Sequence, residues 1–404
     1  MTGFSDDVEA ICADIIATAA RPLPQSQTLP RAAYLSERYF AHEAETVLAT
    51  SWICVAHVSQ LPEIGSYLAL DLLDEPLVVV RGNDGAIRVL SRVCPHRAAD
   101  ILHDCFKTPD HAVTKRFQCP YHAWVFSLEG KKLASMHMDK AEGFAEGEWN
   151  LSEIRSELWH GFVFVNLDGK ANPLAEQYAA FGDAIAPWNP AEMEVAITLE
   201  WECDFNWKVM VENWIESYHH MGAHLQTLQV TMPARGTWTE AEQPGFIHCH
   251  LPFRPSNAAE IREAVAEGTS LPGFTPISGL PVDRQIEWEL YLGHPCFMFL
   301  TMRDRVLWYR LQPISAQRCK LVTMTLVTKE AQRAPDYEAT IAAETDMLAA
   351  FHLEDMAVNT AVQAGLRSRH VVRGRLSHLE EPVWMIQRFI AAHLRDSLTQ
   401  QAAE

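Results

Sequence analysis

The chain has 404 residues, 48% of them hydrophobic and 21% charged, and its formal charge at pH 7 is −19. That length and composition are typical of a globular protein with enough chain for two domains. A chain this acidic repels a phosphate backbone, so its charge argues against a nucleic-acid partner.

The N-terminus and the cysteines indicate where the protein works. Residues 1–20 are acidic and lack a cationic segment before an apolar block, so they do not resemble a signal peptide. No stretch of the sequence approaches the roughly 20 uncharged residues that cross a bilayer. The nine cysteines are odd in number and scattered, which is typical of a reducing compartment where thiols stay free or bind metal. We therefore predict a cytoplasmic protein without a membrane partner.

The first half of the chain contains two helices and then many short strands. A helix to about Ala20 and a second from Ser36 to Leu48 lie on either side of a proline-rich connector. From Trp52 to about Leu167, short strand-like runs alternate with Gly and Pro turn signals. These runs predict a small all-β unit, with strands at 66–70, 77–81, 87–91, 123–127 and 161–166.

The rest of the chain mixes helices with strands. The pattern predicts a helix from Trp207 to Leu225 and a long helix from Tyr337 to Leu366. Residues 285–328 predict a three-strand antiparallel meander, with turns at 303–305 and 315–317. This order of elements predicts an α+β fold in which helices cover one face of a curved antiparallel sheet.

Four side chains in the all-β unit give the strongest chemical signal: Cys94 and His96 in one loop, and Cys119 and His122 in another. Two thiolates and two imidazoles suit either Zn²⁺ or a Rieske cluster, in which two His replace two Cys on one iron. Zinc sites usually pair Cys with Cys and His with His. Here each loop carries one of each, in the order C-x-H…C-x-x-H, which favours the Rieske cluster. The alternatives are a zinc site, and structural cysteines with solvated histidines that bind no metal.

The segment Cys119-Pro120-Tyr121-His122-Ala123-Trp124 resembles the Rieske domain of bacterial oxygenases. Respiratory Rieske proteins carry one more cysteine in each loop, where this chain has Ala99 and Tyr121. The resemblance is therefore to the oxygenase type. It implies a [2Fe–2S] cluster held by the two cysteines and two histidines named above.

The segment between His96 and Cys119 has 22 residues, which is longer than is usual in this family. We predict that the excess, about Asp104 to Thr114, is a surface loop. The alternative is that Cys105, within this loop, competes as a cluster ligand.

A second dense region lies in the predicted helix that begins at Trp207. Glu216 and His219 are three residues apart and share one helical face. His219 and His224 are five apart, about 140° around an ideal helix. Both can bind one metal only if the helix loosens between them, which Gly222 would permit.

Two His and one carboxylate form the facial triad of non-haem Fe(II) oxygenases, which leaves positions open for O2 and substrate. The carboxylate can come from elsewhere in the chain, and Asp355 on the last long helix is a candidate. Taken alone, an Asp on a helix usually belongs to a solvated face. Two His in a helix are about as often without a metal as with one.

The motif N-W-K-x-x-x-E-N-x-x-E-x-Y-H-x-x-x-x-H, at 206–224, resembles the mononuclear iron motif of Rieske oxygenases. The segment E-D-x-x-x-x-x-x-V-Q-x-G-L-x-S resembles the part of that family that bears the distant carboxylate. By position, the resemblance implies that His219, His224 and Asp355 are the iron ligands. Glu216 takes the place of the acidic residue that links the two metal sites. His220 has no counterpart in the motif, and we interpret it as pocket lining.

The resemblance covers nearly all of the chain, including Ser51 to His57 ahead of the cluster loops. It implies a Rieske domain at 51–165. This domain is inserted in a helix-grip catalytic domain built from residues 1–50 and 166–404.

The resemblance also implies how electrons arrive. The cluster stores one electron and Fe(II) another, with O2 as co-substrate, and the chain forms a head-to-tail homotrimer. In that ring, His122 of one subunit would bond to Glu216 of the next, which holds His219. The sequence has neither a nucleotide-binding Gly-rich loop nor a plant-ferredoxin cysteine run. We therefore expect a separate NAD(P)H-dependent reductase or ferredoxin.

The substrate is the least determined part. Within the Rieske oxygenases, the sequence looks most similar to the branch that oxidises quaternary ammonium compounds. An aromatic cage would suit such a cation. The alternatives are an aromatic ring-hydroxylating dioxygenase and, from another class, a Rieske electron carrier without an active mononuclear site. Candidate pocket residues are Trp214, Tyr218, His220, Met221, His248, His250, His294, Phe297, Phe299, Trp308 and Tyr309.

Overall fold

The computed structural model describes residues 6–144 and 147–401. By their internal contacts the residues form two compact units. The β unit is Cys54–Ala171, and the helix–sheet unit combines Met1–Ile53 with Asn172–Glu404. Among the described residues, none of the helices has both the length and the apolar character that crossing a bilayer would take.

The β unit consists of short strands in three sheets. One sheet has the order β5-β2-β3-β4-β9, a second has β6-β7-β8, and a third has β1-β11-β10. The strands are β1 Ile53–His57, β2 Ser66–Leu72, β3 Glu75–Arg81, β4 Ile87–Ser91, β5 His111–Val113, β6 Phe117–Gln118, β7 Val125–Phe126, β8 Lys132–Ala134, β9 Glu153–Ile154, β10 Ser156–Trp159 and β11 Phe162–Val165.

The core of the β unit supports the two cluster loops, which carry Cys94 with His96 and Cys119 with His122. Val78 and Val80 in the central strand β3 are fully buried, as suits β-branched residues in a paired strand. They belong to one apolar cluster with Cys94, Cys119 and Trp124. The two loops are therefore packed on their inner side by the core of their own unit.

The helix–sheet unit is built on a seven-stranded sheet with the order β12-β18-β17-β16-β15-β14-β13. Every neighbouring pair in it is antiparallel. Together with the helices, this confirms the predicted α+β class. The strands are β12 Glu194–Cys203, β13 Trp238–Thr239, β14 Phe246–Pro252, β15 Glu287–Gly293, β16 Phe297–Thr301, β17 Val306–Ser315 and β18 Arg318–Val327.

The prediction of three strands in 285–328 was wrong, because this segment forms the four strands β15 to β18. The additional turn lies at His294 to Cys296, between the apolar residues 290–292 and 297–300. Pro295 has no N–H for a strand ladder, and a central strand excludes it. The chain turns there, and Leu290 on β15 faces Leu300 on β16.

In the described part of the chain, the α-helices belong to the helix–sheet unit. The long helix was predicted correctly from Tyr337 to Leu366. The helices are α1 Val8–Ala19, α2 Ala32–Leu35, α3 Glu37–Glu43, α4 Leu174–Gln177, α5 Ala179–Ile185, α6 Trp207–Ile215, α7 Leu228–Thr231, α8 Pro255–Glu267, α9 Tyr337–Leu366 and α10 Glu381–Gln401. A π-helical turn, Ala44–Leu48, continues α3 and completes the predicted helix 36–48.

The prediction of one helix from Trp207 to Leu225 was wrong, because α6 ends at Ile215. Glu216 is extended, with φ −117° and ψ 160°. Its carboxylate accepts a hydrogen bond from the backbone N–H of His219, at 3.1 Å. A side chain that accepts a hydrogen bond from a nearby backbone N–H competes with the helical hydrogen bond. Here the bond to Glu216 replaces it, and the helix ends.

Helix α9 contacts α6 through a buried face that is largely polar. The buried residues of α9 recur every three or four positions and include His352, Asp355, Asn359 and Gln363. The Asn359 side-chain amide donates to Asn213 Oδ1 at 3.3 Å, and Gln363 Oε1 accepts from the backbone N–H of Asn206 at 3.2 Å. These bonds fix which turn of α9 lies opposite which turn of α6.

Candidate metal centres and active site

The two cluster loops of the β unit have the same backbone geometry. In the first, Cys94 N donates to Ala99 O at 2.9 Å and Ala98 N donates to Cys94 O at 2.9 Å. In the second, Cys119 N donates to Trp124 O at 2.8 Å and Ala123 N donates to Cys119 O at 3.0 Å. Ala98 and Ala123 both have positive φ, 55° and 57°. The loops are thus a matched pair, each offering one thiol and one imidazole.

The side chains of these loops converge. The thiols of Cys94 and Cys119 are buried and belong to the same apolar cluster. The rings of His96 and His122 are 4.6 Å apart between centroids, and His96 also stacks on Trp124 at 4.8 Å. Among the described residues, nothing hydrogen-bonds to the buried Nδ1 of His96. The structure therefore brings together all four predicted cluster residues.

The protonation of these groups suits a bound iron–sulfur group. Burial raises the pKa of Cys94 to about 11, so without iron this thiol keeps its proton and a bound cluster would displace it. Burial and the neighbouring charges of His122 and Arg97 lower the pKa of His96 below its ordinary value. A neutral imidazole is the form that binds metal. The residue set fits a [2Fe–2S] group with two Cys and two His ligands.

The predicted surface loop at Asp104 to Thr114 is partly ordered into strand. Residues His111–Val113 form β5, which pairs with β2 at the edge of the five-stranded sheet. Asp104–Phe106 form a short 3-10 turn in which Cys105 is exposed. The insertion therefore extends a sheet, which the sequence reasoning missed because three residues carry little strand signal.

The second set of predicted residues also converges. Nε2 of His224 lies 3.0 Å from Oδ1 of Asp355, and Nε2 of His219 lies 3.6 Å from the same oxygen. The potential ligand atoms of the three residues all lie within 4.8 Å of one another. We expected Gly222 to loosen a helix between the two histidines. Instead the helix has already ended at Ile215, and His219 lies in a 3-10 turn.

A carboxylate lies behind each imidazole. Glu216 Oε1 is 2.7 Å from Nδ1 of His219, and Glu354 Oε2 is 2.6 Å from Nδ1 of His224. Thr227 Oγ1 donates to the same oxygen of Glu354 at 2.7 Å. A carboxylate on Nδ1 fixes the tautomer and turns Nε2 toward the site, as at many metal-binding histidines. Sequence reasoning gave no role to Glu354, although it directly precedes Asp355 in the quoted motif.

The close approach of carboxylates and imidazoles shifts the pKa values of His224 and Asp355. Burial by itself lowers the pKa of His224, but bonds and charges from Asp355 and Glu354 outweigh it and raise the pKa above its ordinary value. Burial by itself raises the pKa of Asp355, but the imidazoles of His224 and His219 hold it below its ordinary value. A metal cation at this point would replace a proton. The set of two imidazoles and one carboxylate fits Fe(II) in an open facial triad.

A small cavity of about 50 Å³ adjoins this site. Three of the predicted pocket residues line it: Trp214, His220 and Tyr309. Further lining residues that sequence reasoning missed are Asn213, Leu228, Leu251, Trp288, Leu290, Leu300, Phe351 and His352. The lining described for this cavity does not include Tyr218, Met221, His248, His250, His294, Phe297, Phe299 or Trp308.

Strand parity explains part of that error. Successive residues of a strand point to opposite faces of the sheet. Tyr309 lines the cavity, so the neighbouring Trp308 points away from it, together with its paired Phe299. Leu251 and Leu290 face the cavity, and His250 therefore lies on the other face. The sequence alone does not reveal which face of the meander the predicted iron ligands cover.

Two histidines of the cavity are neutral at pH 7. Burial and the neighbouring His219 lower the pKa of His220 to about 3, and its Nδ1 lies 3.2 Å from the carbonyl oxygen of Met232. Burial lowers the pKa of His352 to about 4. Neither ring nitrogen of His352 has a hydrogen-bond partner among the described residues. His352 is thus a buried polar group available to a bound molecule.

We predict that Glu354→Gln weakens Fe(II) binding by roughly 10- to 100-fold, because carboxylates behind a metal-binding imidazole contribute that much affinity. Glu338→Gln, an exposed position on the same helix, is the control with the same change of charge. Competition with a fluorescent chelator measures the dissociation constant of Fe(II). Equal constants for Glu354→Gln and Glu338→Gln would contradict the role of Glu354.

Two family models match the chain. Residues 190–396, about half of it, match the ring hydroxylating alpha subunit (catalytic domain), and residues 51–145 match the Rieske [2Fe-2S] domain. The carnitine monooxygenase oxygenase subunit of Acinetobacter pittii is 35% identical over 202 residues, which are 49% of this chain and 52% of that protein. This chain thus spans about half the length of that relative. The glycine betaine monooxygenase oxygenase subunit of Chromohalobacter salexigens is 26% identical over 359 residues, 83% of this chain and 79% of that protein.

Solved structures agree with these matches. A quaternary ammonium Rieske monooxygenase superimposes with a TM-score of 0.78 at 25% identity, over 94% of this chain and 98% of the other. Naphthalene 1,2-dioxygenase from Rhodococcus sp. has a TM-score of 0.75 at 16% identity, which shows a shared fold. This chain belongs to the family of ring-hydroxylating oxygenase alpha subunits, with a Rieske [2Fe–2S] domain ahead of its catalytic domain.

Proposed function

We propose that this chain is the terminal oxygenase component of a Rieske non-haem iron system that hydroxylates or oxidatively demethylates a small organic substrate. One observation carries the proposal. Two imidazoles, each backed by a carboxylate, and Asp355 direct their ligand atoms at one point beside a cavity. A facial set with open positions is the arrangement that non-haem Fe(II) oxygenases use.

Each site residue has a role in this proposal. Cys94, His96, Cys119 and His122, within a domain at 51–165, hold the [2Fe–2S] cluster. His219, His224 and Asp355, within the domain of residues 1–50 and 166–404, hold Fe(II). Iron at that position supplies the O2 chemistry when bound. The residues around it bind the substrate, keep water out and hold the imidazoles in the correct tautomer.

Glu216 has a role beyond holding His219. Its Oε1 already bonds to that imidazole, and we assign it the transfer path from the cluster of a neighbouring subunit. Rieske oxygenases take electrons from a separate reductase and act on a small molecule. For this chain we propose a head-to-tail homotrimer, an NAD(P)H-dependent reductase or ferredoxin as donor, and a cytoplasmic location. The solved quaternary ammonium relative is described as transferring electrons between subunits.

The substrate we favour is a small quaternary ammonium compound. Trp214, Trp288, Tyr309 and Phe351 give the cavity several aromatic rings, which attract such a cation. The neutral His352 offers a hydrogen bond to a polar group of the same molecule. The cavity, at about 50 Å³, is far below the roughly 300–1,000 Å³ of ordinary ligand pockets. Side chains must therefore move to admit a substrate. A small substrate requires a smaller movement than a polycyclic arene does.

An electron carrier without an active mononuclear site is the rival from another class. Such a carrier needs no converging iron ligands. In an electron carrier, Glu216 and Glu354 would do no more than pair with the imidazoles of His219 and His224. Both the residue set and the matched catalytic domain favour the oxygenase.

A single-turnover experiment tests the proposed function without the reductase. The iron-replete protein is reduced chemically, freed of reductant and mixed with O2 and one substrate. We expect carnitine or glycine betaine to be oxidised, up to about one product per active site, as measured by mass spectrometry. Biphenyl and naphthalene are the controls. Oxidation of the arenes alone would make the chain an aromatic dioxygenase, and no oxidation of any substrate would support the electron carrier.

We predict that Glu216→Gln, loaded with saturating Fe(II) to offset its weaker hold on His219, has both metal sites filled yet loses most coupled turnover. The reason is that a neutral amide cannot serve both His219 and His122 of a neighbouring subunit as a carboxylate does. Stopped-flow reoxidation of the cluster, in the presence of substrate and O2, measures the transfer step. Glu216→Asp, which keeps the charge, is expected to retain more of this rate. Full turnover by a metal-replete Gln variant would exclude the assigned path.

A further inference from the structure

A second group of histidines and carboxylates lies at the β13 edge of the seven-stranded sheet. It occupies the face opposite to the one that carries Leu251 and Leu290 of the cavity. Its members are buried or partly buried and come from two neighbouring strands and from the residue that follows a third. They are Glu240 directly after β13, His248 and His250 on β14, and Glu287 and Glu289 on β15.

Both imidazoles of this group share one oxygen. Oε1 of Glu240 lies 3.2 Å from Nδ1 of His248 and 3.4 Å from Nε2 of His250. The other nitrogen of each ring contacts a different carboxylate. Nε2 of His248 is 2.9 Å from Glu289 Oε2, and Nδ1 of His250 is 3.2 Å from Glu287 Oε1. Each ring therefore has a carboxylate oxygen at both of its nitrogens.

A neutral imidazole cannot satisfy two such contacts, because it has one N–H and one lone pair. One of the two oxygens then faces the lone pair, unless a second proton or a cation lies between them. The formal charges also indicate that positive charge is lacking here. Three carboxylates against the guanidinium of Arg284, which lies 2.6 Å from Glu289, leave a formal charge of −2. One divalent cation or two additional protons would neutralise it.

The distances favour the cation. Charge-assisted N–H···O bonds are about 2.7–2.9 Å long, and both contacts to Glu240 are longer than that. Two ligand atoms at 2.0–2.2 Å from a tetrahedral metal lie about 3.3–3.6 Å apart, close to the 3.2 and 3.4 Å observed. Metal-binding histidines also donate their other N–H to a carboxylate, and Glu289 and Glu287 are placed to accept.

We propose that Glu240, His248 and His250 form a site for a divalent metal of the zinc class, separate from the iron ligands. Their ligand atoms lie within 4.8 Å of one another. Two imidazoles and one carboxylate suit Zn²⁺, with water in the fourth position. The Glu240 side chain is 37% exposed, which gives the metal a route from solvent. Trp238 stacks on His250 with 3.8 Å between ring centroids and holds that ring in place.

The site joins the residue after the edge strand to the neighbouring strand β14. It closes the end of the sheet where the backbone already pairs through Glu240 N and His248 O, at 2.9 Å. Because it lies on the opposite face from the cavity, it takes no part in the oxygen chemistry. The proposal does not depend on the proposed function.

Zinc binding to the full-length, cluster- and iron-replete protein tests this site. After equilibrium dialysis against Zn²⁺, zinc and iron are counted by mass spectrometry. We expect close to one zinc per chain with no loss of iron. X-ray absorption at the zinc edge is expected to show two imidazoles at about 2.0–2.1 Å. No retained zinc, or zinc that replaces iron atom for atom, would overturn the proposal.

Two glutamates of this hairpin provide a matched pair of variants. Glu240→Gln removes a ligand at a partly exposed position, and we expect it to weaken zinc binding by roughly tenfold or more. Glu242→Gln makes the same change of charge two residues away, on a side chain that is 46% exposed and contacts Arg388. Its zinc affinity is expected to match that of the wild type. Equal affinities for the two variants would overturn the assignment of Glu240.

Discussion

The fixed register between helices α6 and α9 is the constraint on which the proposed iron-ligand set depends. Buried polar groups need partners, and several of those on α9 find them on α6 or on the residues directly before and after it. Asn359 pairs with Asn213, and Gln363 pairs with the backbone of Asn206. A slip of one helical turn, about 5.4 Å, would break these bonds and remove Asp355 from the two histidines.

The polar partners continue from this contact into the site. Glu354 neighbours Asp355 on α9 and bonds to His224, while Glu216 holds His219 from the end of α6. Helix α9 and the end of α6 thus each supply a carboxylate that orients an imidazole, and α9 also supplies Asp355, the proposed acidic ligand. The end of α6 at Ile215 is part of this arrangement, because the extended backbone at Glu216 lets its carboxylate reach both the backbone and the ring of His219.

The sequence predicted the features that depend on a repeating pattern or on a recognisable motif. The long helix and the α+β class follow from periodicity, and the two ligand sets follow from spacing and resemblance. It did not predict interactions that only tertiary structure creates. The early end of α6 depends on the Glu216 side chain. The turn at Pro295 separates two apolar runs that form two strands, and the Glu240 group joins two strands to the residue after a third. Glu354 was visible beside Asp355, but an acidic residue on a helix carries no signal until its partner is known.

The iron and acid-labile sulfide content of anaerobically purified protein tests the central claim most directly, with Asp355→Ala measured in parallel. Two metal centres in one chain predict close to three irons and two sulfides for the wild type. Loss of the acidic ligand predicts close to two of each. Two irons and two sulfides in both proteins would contradict the mononuclear site, and zinc without sulfide would contradict the cluster as well.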